Sequence, residues 1–75
     1  MLLTVKVEIV EGRMPKLAGN MYIPGRGGVG YGIIHEGGFR PEEFDRVADE
    51  LSKMYNLKQI SKKIISDDEV EYRLK

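Results

Sequence analysis

No cysteine occurs in the 75 residues, so no disulfide can brace the fold. One histidine without any thiolate beside it also falls short of a structural zinc site, which draws its ligands from several Cys and His side chains. Net charge is absent too. Twelve basic and twelve acidic side chains cancel, so no whole-protein field steers the chain to nucleic acid or to a membrane surface. No apolar run approaches the roughly 18 residues of a membrane span, and the start, MLLTVKVEIVEG, alternates polar with apolar and carries no small-residue cleavage site. The expectation is a cytoplasmic protein with no membrane partner. Side-chain amides are scarce, at Asn20, Asn56 and Gln59, a compositional drift shared with heat-adapted proteins.

What is present is a globular balance, 41% hydrophobic and 32% charged. The length suits a single compact domain, 1–75, with no second core. A core this small gains from self-association, so a homo-oligomer is expected.

Leu3, Val5, Val7 and Ile9 alternate with Thr4, Lys6 and Glu8, the period-2 signature of a strand with one wet face. Gly12 ends it, and residues 13–20, RMPKLAGN, read as a loop because no period is sustained. MYI (21–23) and VGYGIIHE (29–36) read as a hairpin around the turn GRGG, with Gly28, Gly30 and Gly32 on one strand face and Val29, Tyr31 and Ile33 on the other. In 41–55 the residues Phe44, Val47, Ala48, Leu51 and Met54, with Tyr55 beside them, recur at three and four, forming one apolar helical stripe. Pro41 suits the first turn, Glu42 and Glu43 complement the positive end of the dipole, and Asn56 suits the left-handed closing position. Ion pairs Glu42 to Arg46 and Glu50 to Lys53 are expected along its surface. Residues 57–65 read as a strand in which Ile60 and Ile64 share a face with Lys62, SDDE as a turn, and Val70, Tyr72 and Leu74 as the inward side of a last strand.

The predicted fold class is therefore α+β, a mostly antiparallel sheet of four to five short strands with one amphipathic helix (41–55) packed on one face, in the order β-β-β-α-β-β. Strand pair, helix, strand pair resembles the ubiquitin-like grasp architecture in element order. With Tyr72-Arg73-Leu74-Lys75 where a terminal Gly-Gly would matter, the resemblance implies neither a conjugated modifier nor a sulfur carrier.

Gly25-Arg26-Gly27-Gly28-Val29-Gly30 matches G-x-G-x-x-G letter by letter, but a strand pattern follows where a helix must receive the pyrophosphate. No Gly-Lys-Ser/Thr and no kinase signature accompanies it. His35-Glu36 lacks the second histidine of H-E-x-x-H, since Phe39 stands there. Ser52, Ser61 and Ser66 would have only His35 as a base. Asp67-Asp68-Glu69 lacks the alternating ligand spacing of a calcium loop. No catalytic residue, cofactor or metal is expected.

The middle of the chain is its one basic block, with Arg13, Lys16, Arg26 and Arg40 against Glu36. The functional expectation is a non-enzymatic binding module that contacts single-stranded nucleic acid or another anionic partner. Arg13, Lys16, Arg26 and Arg40 would act by charge and Tyr22 and Tyr31 by stacking, while Gly28, Gly30 and Gly32 allow close approach. The alternative is a protein-protein interaction or regulatory module working through exposed strand edges and homodimerisation.

Overall fold

Alternation in the first strand sets the two faces of the sheet. In the computed structural model, which describes residues 1–9, 11–34 and 39–75 and of Tyr31, Ile33 and Ile34 the backbone alone, β1 (Leu2–Glu8) buries Leu3 and Val5 completely. Its neighbours follow that alternation. β2 (Lys16–Ile23) sets Met21 against Leu3 and Gly19 against Val5, while β5 (Glu69–Leu74) sets Tyr72 and Val70 against the same two residues. β3 (Gly27–Ile34) and β4 (Gln59–Ser66) close the two sides, giving a five-stranded antiparallel sheet in the order β3-β2-β1-β5-β4. The expected α+β class and the order β-β-β-α-β-β are both found.

The helix, α1 (Pro41–Met54), lies over β1, β2, β3 and β5 and presses Phe44, Val47, Ala48 and Leu51 onto Leu3, Leu17, Tyr72 and Leu74. It starts at Arg40, whose extended backbone (φ −90°, ψ 154°) makes no side-chain cap, with Pro41 in the first turn and Glu42 and Glu43 at the positive pole. Asn56 ends it in the left-handed region (φ 56°), and the Leu57 N–H then donates to the Ser52 carbonyl at 2.8 Å. Met54 is a correction. It is 61% exposed, because Tyr55, rotated about 100° further round the helix, takes the half-buried place over the sheet. The surface ion pairs are also redistributed: Arg46 bridges Glu43 and Glu50, and Lys53 holds Asp49.

A second correction falls on residues 13–20. Lys16 through Asn20 are strand, not loop, so β2 runs eight residues and ends at a turn where Gly25 (φ 85°) and Gly27 (φ 81°) supply the left-handed backbone. The reason is the docking of α1. Gly19 has no side chain because Leu51 and Val47 occupy its place: a Cβ there would lie 2.6 Å from Leu51 Cδ1 and 3.1 Å from Val47 Cγ1.

Candidate functional site

With α1 on one side, no described element covers the other face of the sheet. Thr4, Lys6 and Glu8 of β1, Lys16, Ala18, Asn20 and Tyr22 of β2, and Gly28, Gly30 and Gly32 of β3 share it by register. Charges on this face alternate in sign across strands: Glu8 opposes Lys16, Lys6 opposes Glu69, and Glu71 opposes Lys63. Such pairing is favourable for the sheet. It leaves no single-sign field over the face.

The six residues expected to bind an anion do not gather. Arg13 lies in the loop before β2 and Lys16 opens that strand, with its ammonium 3.8 Å from Glu8 Oε2. Arg40 leads into α1 at the same end of the sheet, where the groove between Pro41 and Asp67 also lies and where the Asp68 carbonyl accepts from the Val7 N–H at 2.9 Å. Arg26 is at the opposite end. An eight-residue β2 separates it from Lys16 by about 23 Å, well beyond the roughly 8 Å Debye length at physiological salt, and its guanidinium already lies over the Tyr55 ring, 5.9 Å from the centroid. Tyr22 is 66% exposed on the open face. Tyr31 stands opposite Gly19 in register, on the helix side of the sheet, so the two tyrosines belong to different faces.

The glycines keep their expected common face. Nothing in the described chain lies within 4 Å of a Cβ built on Gly28, and Cβ atoms on Gly30 and Gly32 would meet Asn20 Oδ1 and Lys16 Cδ at an ordinary 3.6 Å. Within the fold, the close approach is made at Gly19 instead.

The two edges of the sheet differ in kind. β4 is exposed along all eight residues, yet it carries Lys62 and Lys63, and its pairing with β5 slips at Gln59/Ser61 and again at Ile64/Ser66. Lysines and bulges are the devices by which sheets discourage a further strand. The first slip also removes Ile60 from the lane it was expected to share with Ile64 and Lys62. β3 has none of these devices. It pairs with β2 in unbroken register from Gly27 to Ile34 and contains no charged residue and no proline.

A polar cluster that the sequence did not announce ties β4 to the helix. The Tyr72 hydroxyl, on a side chain with no exposed surface, donates to Asp45 Oδ1 at 2.7 Å, and Lys62 Nζ reaches Asp45 Oδ1 at 2.9 Å and Oδ2 at 3.1 Å. Burial pushes the Asp45 carboxyl up, but the bonds from Tyr72 and Lys62 and the Lys62 charge outweigh it and hold the group below its ordinary value. Tyr72 moves the other way, raised by burial first and by Asp45 second. Beside the cluster, a groove of about 310 Å³ runs between the start of α1 and the β4–β5 turn, lined by the apolar Phe39, Pro41, Phe44, Ile64 and Val70 and by Lys62, Ser66 and Asp67. The Lys62 ammonium of that lining is engaged by Asp45.

Ser52 is buried and donates to the Ala48 carbonyl at 2.7 Å, while Ser66 Oγ accepts from the Asp68 N–H at 3.2 Å to shape the turn. Among the described residues no group of three or more His, Asp or Glu side chains is placed to hold a metal ion, and no helix is long and apolar enough to cross a membrane. The His35-Glu36 pair lies outside the described residues. No protein-family model, curated protein or solved structure matches the chain, and the likeness of element order to the ubiquitin-like grasp has no counterpart in those comparisons.

Proposed function

We propose that the protein is a non-enzymatic interaction module that accepts a partner's β-strand along the outer edge of β3, which no other described strand pairs. One observation carries this reading: of the two edges, β4 is guarded by lysines and register breaks, whereas β3 offers eight residues in unbroken register without charge or proline. Main-chain N–H and C=O groups along such an edge supply affinity without any particular side chain. A photo-reactive side chain placed at Gly28, where the space is open and φ is not left-handed, should cross-link to protein in nuclease-treated extract of the native cells. The same group at Ser61 on β4 should give little. Equal yields from both positions, or products from neither, would defeat the reading.

A second reading is kept alive by Tyr22, 66% exposed beside the bare backbone of Gly28 and Gly30. A ring so placed stacks on bases of single-stranded nucleic acid, with the cations Arg13, Lys16, Arg26 and Arg40 contributing charge from the two ends. Oligonucleotide binding, followed by fluorescence anisotropy, should then weaken as salt rises and fall roughly tenfold in Tyr22→Ala, consistent with about 1–3 kcal/mol per stacked base. No binding at low salt removes this reading.

A further inference from the structure

We infer that the strand accepted by β3 is β3 of a second copy of this chain, paired antiparallel across a two-fold axis at Gly30. The inference rests on the edge reading above and adds the occupant. Directly opposed residues in an antiparallel pair share a face, so a two-fold normal to the sheet keeps both helices on one side and both open faces on the other. With Gly30 on the axis, Gly28 meets Gly32 of the other copy, glycine against glycine on the open face. On the helix side the register position of Val29 meets that of Tyr31. Val29 already packs against the core, so the seam on that side continues an apolar layer.

Charge favours a copy over a charged peptide. From Gly27 to Ile34 there is no ionisable group except the Tyr31 phenol, so like meets like without repulsion and an acidic or basic strand gains nothing along the edge. The other edge is not self-compatible in the same way, since two β4 strands would bring Lys62 and Lys63 of both copies together. Area sets the strength. A strand with four glycines among its eight residues buries less than the roughly 1,000 Å² expected of a stable interface, so the dimer should be reversible, with Kd on the order of micromolar or weaker.

Sedimentation velocity from about 1 μM to about 1 mM, a range that spans the expected Kd, tests this. The expected result is a concentration-dependent monomer–dimer equilibrium. Gly30→Lys, whose new Cβ meets Asn20 Oδ1 at 3.6 Å and the Gly19 carbonyl oxygen at 3.9 Å, both ordinary contacts, should keep the circular dichroism spectrum and weaken the dimer at least about tenfold by placing two ammonium groups on the axis. Gly30→Glu should do the same alone, and an equimolar mixture of the two variants should re-associate. Lys63→Glu on β4 should leave the equilibrium unchanged. A chain that stays monomeric throughout, or a dimer indifferent to Gly30→Lys, overturns the inference. If the Gly28 cross-linker still captures a different protein while the chain is monomeric, the edge reading stands and only the second copy is wrong.

Discussion

Replacing Gly19 with valine leaves a chain that does not reach the native state at temperatures where the wild type is folded, and alanine at the same position lowers stability by about 1–3 kcal/mol. For a domain of this size each kcal/mol moves the melting temperature by roughly 4–8 °C. The cause is the approach of α1 to β2. A Cβ on Gly19 would lie 2.6 Å from Leu51 Cδ1, 3.1 Å from Val47 Cγ1 and 3.5 Å from Leu3 Cδ1, and all three of those residues are essentially unexposed. Leu51 Cδ1 ends a side chain that can change rotamer, so one methyl is tolerated at a cost. The extra methyls of valine have no such outlet. Gly30→Ala is the control: on the open face its Cβ meets its nearest atom at 3.6 Å, and removing a glycine from the unfolded ensemble is neutral or stabilising by up to about 1 kcal/mol. Thermal melts of the three variants by circular dichroism give the comparison. A Gly19→Ala variant as stable as the wild type would mean that the helix can stand further from the sheet than it does.

Gly19 also marks where the sequence stops being legible. β1 and β5 can be read from their alternation, since Leu3 and Val5, then Val70, Tyr72 and Leu74, are inward and the residues between them are polar. β2 hides its alternation. Ala18 is small and buried on the open face, and Gly19 carries no side chain to register the inward position, so the period-2 signal vanishes where the helix presses closest. The scatter of the four cations, expected to gather at one end, has the same root. With residues 13–20 as loop and a strand of only 21–23, Arg13 and Lys16 stay within reach of Arg26. With β2 starting at Lys16, a strand of about 23 Å stands between them. The Tyr72, Asp45 and Lys62 cluster was invisible for a different reason. Its members are 27 and 17 residues apart, and no local pattern links them.

That cluster should give the protein an alkaline limit that a single hydroxyl controls. Tyr72 is fully buried with its O–H on Asp45, and burial together with the neighbouring carboxylate raises its pKa well above the ordinary value of 10.0. Because the folded value is raised, the stabilisation is complete below about pH 10 and is lost as pH climbs from the unfolded toward the folded value. In that window the unfolded chain releases a proton that the native chain retains. The slope from this group is about 1.4 kcal/mol per pH unit. Tyr72→Phe should remove that slope, so its urea midpoint declines less steeply than the wild type's above about pH 10. At neutral pH it should cost about 1 kcal/mol, below the roughly 1.5–3 kcal/mol of a hydrogen bond to a charged group, because Asp45 is half exposed and water can replace the lost donor. Tyr72→Ala should cost about 3–5 kcal/mol, since it also empties the ring's place in the core. Asp45 sets the acid side with the opposite sign: its lowered value contributes stability above the unfolded carboxylate pKa and loses it as pH falls through the folded one, so Asp45→Asn should flatten the acid limb. Parallel pH curves for wild type and Tyr72→Phe above pH 10 would show that the phenol titrates alike in both states and that Asp45 does not hold its proton.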